Sequence, residues 1–217
     1  MSFVQSIPEN ILKRGPVAVL MRHAERFPFT PGSEEDPLLT AKGHRDSYEL
    51  GGSMKALAPL RVFHSPIMRC RQTAHELCRG LTDENESCTF AGEIEMLGPS
   101  LFVVDWKKMI SSLEEQGPSF LRLWFDGRLA DDLIVPVETA ARRALDVLSG
   151  QLSENRVCTL NVSHDWNIMV LLEHYFNLRH EDIGYPEFLS AVVAYKEAGG
   201  LHLLYGEHSR TIELTGR

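Results

Sequence analysis

Val17-Ala18-Val19-Leu20-Met21 runs directly into Arg22-His23-Ala24-Glu25-Arg26. The apolar half is short and continuous, and Gly15-Pro16 bounds it on the entry side, so it reads as a buried strand. The polar half follows without a spacer and opens into a Pro- and Gly-containing loop over residues 28–37. A strand that ends in two arginines around a histidine puts its chemistry at the carboxyl edge of a sheet.

Two later segments repeat this grammar. Arg61-Val62-Phe63-His64 is followed by Ser65-Pro66 and a helical pattern over residues 67–79. Val157-Cys158-Thr159-Leu160-Asn161-Val162 is followed by Ser163-His164-Asp165 and a helical pattern to residue 176. A further helix is expected over residues 39–57, with Thr40 as its N-cap because its hydroxyl can accept a free first-turn amide proton. Residues 190–195 and 201–205 read as two more strands, joined by a hairpin turn at Gly199-Gly200. Strands alternating with helices predict a three-layer α/β/α domain around a mostly parallel sheet. Residues 92–136 lack a clean period and hold Pro99, Pro118 and Pro136. They are expected to form a partly helical lid or cap insertion within a single domain of residues 1–217.

In open α/β sheets ligands bind at the carboxyl ends of the strands. Three clusters share that station: Arg22-His23 with Arg26, Ser65 to Arg69, and Ser163-His164-Asp165. Three arginines brought together need an anion, because their desolvation and mutual repulsion are costly. A phosphate group fits, since guanidinium forks match its oxygens. The net charge of -8 argues against a nucleic-acid partner, yet a local arginine cluster still makes a positive pocket. The four cysteines, Cys70, Cys78, Cys88 and Cys158, form no CxxC pair and read as reduced thiols. The N-terminus lacks a signal pattern and no apolar run approaches a membrane span, so a cytoplasmic location with no membrane partner is expected.

Arg22-His23-Ala24-Glu25-Arg26-Phe27-Pro28 resembles the signature of the histidine phosphatase superfamily, the phosphoglycerate-mutase-like and histidine acid phosphatases. Ser65-Pro66-Ile67-Met68-Arg69 with Gln72-Thr73-Ala74 is similar to that family's S-P-x-x-R-x-x-Q-T-A segment. Leu39-Thr40 with Gly43 resembles its L-T-x-x-G turn, and Ser163-His164-Asp165 its late H-D motif. The likeness leans towards a small member of the acid phosphatase branch, whose signature R-H-G-x-R-x-P differs here by Ala24 in place of Gly.

The resemblance implies a phosphate monoester hydrolase that needs no metal and no organic cofactor. His23 would be the nucleophile, forming a phosphohistidine. Arg22, Arg26, Arg69 and His164 would bind the phosphoryl oxygens. Asp165 would be the general acid, with Glu95 and Glu25 as alternative proton donors; Glu95 stands where the mutase branch places its acid. The substrate would be a small phosphorylated molecule or a phosphoprotein. A phosphomutase, a non-catalytic phosphate-ester binding module and a metallohydrolase are the rival readings. Arginines beside both histidines argue against the last. His64 reads as supportive, Ser65 and Thr73 as orienting residues, and Phe27, Phe29, Phe102 and Trp106 as pocket wall or core. Oligomeric state leaves no mark in the sequence.

Overall fold

A computed structural model describes residues 3–29, 36–152, 157–197 and 199–213. Residues 30–35 of the loop expected over 28–37 lie outside the described residues. Among the described residues seven strands form one sheet: β1 Ala18–Arg22, β2 Leu60–His64, β3 Cys88–Glu93, β4 Cys158–Ser163, β5 Ala191–Glu197, β6 Gly200–Tyr205 and β7 His208–Glu213. Their order across the sheet is β3-β2-β4-β1-β5-β6-β7. The half from β3 to β1 is parallel throughout, and β5, β6 and β7 extend it by antiparallel pairing.

β3 and β7 were not anticipated. Both are edge strands with mostly exposed or half-buried side chains. An edge strand borrows its backbone pairing from a neighbour and needs no apolar run of its own. Within the antiparallel extension β6 and β7 follow β5 through hairpins, whereas β5 itself reaches β1 after the helical segment that follows β4.

Burial on both faces explains why the first strand is continuously apolar. Val17, Val19 and Met21 join the core on one side, where α1 (Glu9–Arg14), α2 (Ala41–Ser53) and α3 (Met68–Asp83) pack. Ala18 and Leu20 join the opposite core, under α4 (Trp106–Gln116), α5 (Phe120–Phe125), α6 (Val137–Gln151) and α7 (Asp165–Leu171). The alternation is the two-residue period of a pleated strand. β5 repeats it, with Val192 and Ala194 on one side and Ala191, Val193 and Tyr195 on the other. The layers are therefore helix, sheet, helix.

Thr40 caps α2 as expected, its hydroxyl accepting the amide of Gly43 at 3.0 Å. Gly43 is required there, because a Cβ would lie 2.0 Å from the Glu25 carbonyl oxygen. That close approach fastens the start of α2 under the segment following β1.

Residues 92–136 send most of their large apolar side chains into the domain's own core. Leu97, Leu101, Phe102, Met109, Phe120, Leu121, Trp124, Ile134 and Val135 are buried in the α6–α7 core. Trp124 is 1% exposed, and its indole N–H donates to the Val135 carbonyl at 2.7 Å. Phe102 packs against Trp124 and Trp166, so it is core, whereas Trp106 is exposed. The stretch looks irregular in sequence because its helices are short and separated by 3-10 turns.

Candidate active site

β1, β2 and β4 are adjacent and parallel, so their carboxyl ends lie side by side. Arg22 pairs in register with Ser163, and His64 with Val162. The next residues along each chain, His23, Ser65 and His164, then meet above the sheet. α3 starts just after β2 and sends Arg69 back towards this meeting point.

Arg69 is the hub. Its Nε donates to His23 Nε2 at 3.1 Å, its Nη2 to His164 Nδ1 at 3.2 Å, and its Nη1 to Asp36 Oδ1 at 3.1 Å. A guanidinium can only donate, so these bonds assign the tautomers. His23 holds a lone pair on Nε2, and its proton sits on Nδ1, which donates to the Ala24 carbonyl at 2.8 Å. His164 holds its lone pair on Nδ1, and its Nε2–H donates to Ser65 Oγ at 2.9 Å.

Both rings stay neutral for physical reasons. Burial holds His23 down to about 3, partly opposed by the Ala24 hydrogen bond and reinforced by Arg69, Arg22 and Arg26. Burial also pushes His164 well below its ordinary value, with Arg69 adding to the effect. A neutral imidazole with its second nitrogen tied to a carbonyl presents an unprotonated, oriented Nε2, the state a nucleophilic histidine needs.

The positive charge is under-compensated. Arg22 reaches Asp165 at 2.8 Å and donates to the Pro186 carbonyl at 2.6 Å. Arg26 donates to the Phe27 carbonyl at 2.8 Å and lies 4.0 Å from the Phe29 ring centroid. Burial lowers both guanidinium groups, and Arg69 lowers each further. The Nε groups of Arg22 and Arg26 are buried and have no hydrogen-bond partner. Unused donors beside a concentration of positive charge make a site for an anion with several oxygens.

The supporting residues explain the rest of the local sequence. Thr73 Oγ1 accepts the Ala24 amide at 3.1 Å and donates to the Arg69 carbonyl at 2.8 Å, linking the end of β1 to α3. Gln72 accepts the Leu39 amide at 3.0 Å. Ser65 Oγ also accepts the Ile67 amide at the start of α3. His64 is buried, and its Nδ1 bonds the Ser65 carbonyl. Ala24 is fully buried and does not adopt a positive φ, so its methyl group fits without backbone strain.

The carboxylates divide. Asp165 begins α7, accepts the Trp166 amide and pairs with Arg22 at the edge of the pocket. Glu25 is tied to the Thr40 hydroxyl at 2.7 Å, under α2. Glu95 is exposed and accepts from Ser100, in the turn whose Leu97 carbonyl receives the Ser163 hydroxyl at 2.6 Å. Among the described residues no cluster of three His, Cys, Asp or Glu side chains is arranged to hold a metal.

Several contributors escaped the sequence reading, among them Asp36, which accepts from Arg69 Nη1. Pro186 and Phe188 arrive from the segment before β5, with the Phe188 ring 4.3 Å from the Arg22 guanidinium and 5.7 Å from the His23 ring. No local motif marks them; they reach the site because Arg22 exchanges backbone bonds with Ser190 and Leu189. Cys70 Sγ lies 3.6 Å from His164 Nε2, and burial pushes its thiol up to about 12, so it is an inert neighbour.

Comparison with solved structures gives the same fold. The chain superposes on Bacillus stearothermophilus YhfR with a TM-score of 0.60 at 17% identity, covering 88% of this chain and 96% of that one. The product of the Mycobacterium tuberculosis open reading frame Rv3214 matches at 0.58 and 19%, covering 89% and 98%. The mycobacterial glucosyl-3-phosphoglycerate phosphatase Rv2419c matches at 0.53 and 16%, covering 83% and 90%. No curated protein sequence matches the chain significantly. The family model of the histidine phosphatase superfamily, branch 1, matches residues 18–194, from β1 into β5. That match is to branch 1 as a whole and does not by itself carry the narrower likeness to the acid phosphatases. It spans every strand end that contributes to the pocket, and on it the chain belongs to the histidine phosphatase superfamily.

Proposed function

We propose that the chain hydrolyses phosphate monoesters through a phosphohistidine on His23. The observation that carries this reading is the state of His23: neutral, oriented by the Ala24 carbonyl, and facing Arg69 with an unprotonated Nε2. The phosphoryl group of the substrate takes its oxygens to Arg22, Arg26 and Arg69, pairing the unused Nε donors of the first two, relieving the mutual repulsion of all three, and drawing Arg69 Nε off the His23 Nε2 lone pair. The His23 Nε2 lone pair then forms a bond to phosphorus while the ester P–O bond breaks. Asp165 protonates the departing oxygen, and its carboxylate then takes a proton from the water that releases phosphate and restores His23. Most of the rate enhancement in such a transfer comes from positioning and charge stabilisation.

His164 enters the cycle through its tautomer. To donate from Nδ1 to a phosphate oxygen it must gain a proton, and a bound dianion supplies the counter-charge that favours this. Residues 92–136 act as a cap whose rim shapes the entrance. The substrate is a small phosphorylated molecule, and no metal or organic cofactor takes part. Glucosyl-3-phosphoglycerate phosphatase, among the structural neighbours, is an enzyme of this general kind.

The test is turnover of an aryl phosphate by the purified protein in EDTA, beside His23→Ala, with trapping of a phosphoenzyme by an alkaline detergent quench. Turnover and an acid-labile adduct, both lost in the variant, are expected. Turnover that survives His23→Ala, or that disappears in EDTA, would overturn the mechanism. Phosphoryl transfer to a second acceptor in preference to water would make the chain a mutase.

A further inference from the structure

A groove of about 860 Å³ lies beside the arginine pocket, over the amino end of β5 and the carboxyl end of β6. Its walls include Ile183, Tyr185, Phe188 and Tyr205, with Gln5 at the far side and Glu187 and Glu207 on the rim. Ile183, Tyr185 and Phe188 are 41%, 52% and 38% exposed, large apolar surfaces left uncovered in one place. Two further features make the groove continuous with the site. Phe188 belongs to both, since its ring faces the Arg22 guanidinium and the His23 imidazole. The Asp165 carboxylate, after burial, helps to push the Tyr185 phenol up, and Arg22 acts on Tyr205. The groove therefore begins where a leaving group would exit.

The connecting loop is held in a costly conformation. Leu189, directly after Phe188, has φ 62. A large side chain there is an outlier, maintained only where the surroundings demand it. The demand is visible in the bonds from the Leu189 amide to the Arg22 carbonyl and from Arg22 Nη1 to the Pro186 carbonyl. They fix Phe188 against the reacting histidine.

The charge of the groove selects among leaving groups. Its described lining contains two carboxylates and no lysine or arginine. Glu187 is near enough to act on Tyr205, and neither it nor Glu207 forms an ion pair among the described contacts. A leaving group carrying a carboxylate or a second phosphate would meet unneutralised negative charge and aromatic surface, with no partner to offset its desolvation. We propose that this groove is the leaving-group subsite, and that it takes a large apolar leaving group bearing no second anionic charge. The inference rests on the phosphatase reading and narrows its substrate class; phosphoglycerate-like acids become poor substrates.

Binding of non-hydrolysable phosphonates, measured by calorimetry, tests the subsite without requiring turnover. Ethylphosphonate, 3-phenylpropylphosphonate and 3-phosphonopropionate share the anchoring group and differ only in what enters the groove. Burying a phenyl ring predicts a Kd at least about tenfold lower for the phenylpropyl compound than for the ethyl one. The carboxylate compound should bind more weakly than the ethyl one. Tyr185→Ala should shrink the first ratio, and Glu187→Gln with Glu207→Gln should narrow the second. Equal affinities across the three, tightest binding of the carboxylate compound, or ratios unmoved by these variants would overturn the proposal. Failure of phosphate monoester turnover with the binding order intact would instead count against the phosphatase reading alone.

Discussion

Arg69→Met separates the electrostatic account of this pocket from a purely structural one. Methionine keeps much of the apolar stem of Arg69 and removes the guanidinium, with its bonds to His23, His164 and Asp36. Two effects follow. Loss of one positioned donor to the transferring group costs about 2.7–4 kcal/mol of transition-state stabilisation, a fall of roughly 10²- to 10³-fold in kcat. The second effect has the opposite flavour. Arg69 is the strongest of the three cations depressing His23, and the strongest acting on His164. Its removal lets both imidazoles titrate at higher pH. In the proposed mechanism His23 must be neutral to attack, so the acid limb of kcat/KM moves upward from about 3 and stops short of 6.5, because burial, the larger cause, remains. The assay is kcat/KM for one aryl phosphate from pH 3 to 8 for both proteins. The substrate's own second ionisation is common to the two profiles, so the difference belongs to the protein. A variant within threefold of the native rate, or an acid limb displaced to lower pH, would refute the reasoning.

Three further outcomes are expected. His23 is held at about 3 in the folded state against an ordinary 6.5, so below pH 6.5 the unfolded chain binds the extra proton and stability is lost progressively down to about 3. Between pH 7 and pH 5 this amounts to roughly 2 kcal/mol, and urea titrations should find His23→Ala losing that much less than the native protein. Asp165→Asn should slow hydrolysis of an alkyl phosphate by roughly 10²- to 10⁴-fold and of a nitrophenyl phosphate far less, because only the poor leaving group needs a proton. The same pattern in Glu95→Gln, and not in Asp165→Asn, would reassign the acid. Trp124→Ala should destabilise the whole fold by about 3–5 kcal/mol, read as one cooperative loss in thermal unfolding; local loosening of residues 92–136 alone would mean that the cap is detachable.

The strands that carry His23, Ser65 and His164 were legible because each is a short, largely β-forming segment cut off by a polar cluster. β1 and β4 are buried on both faces, and only such strands write a continuous signal. Arg22, His23, Arg26 and Arg69 were legible for another reason. Cations concentrated at strand ends have no structural use, so their presence already points to an anion. β3 and β7 left no such trace, since edge pairing is paid for by the neighbouring backbone. Residues 92–136 were hard to read for a different reason: their apolar side chains serve a core shared with α6 and α7, and 3-10 turns before and after α4 interrupt the pattern.

What the amino-acid order determined by itself was the chemistry available: which side chains end each strand, and hence an arginine-rich histidine pocket. The tertiary structure decided the state of that chemistry. The neutral tautomers of His23 and His164 follow from the three-way reach of Arg69 and from burial, neither of which is local in sequence. The placement of Phe188 follows from β5 pairing with β1 across some 170 residues of chain, far more than the roughly ten to twenty residues over which sequence patterns carry information. Charge, tautomer and access are properties of what surrounds a residue, and those surroundings exist only once the distant strands have paired.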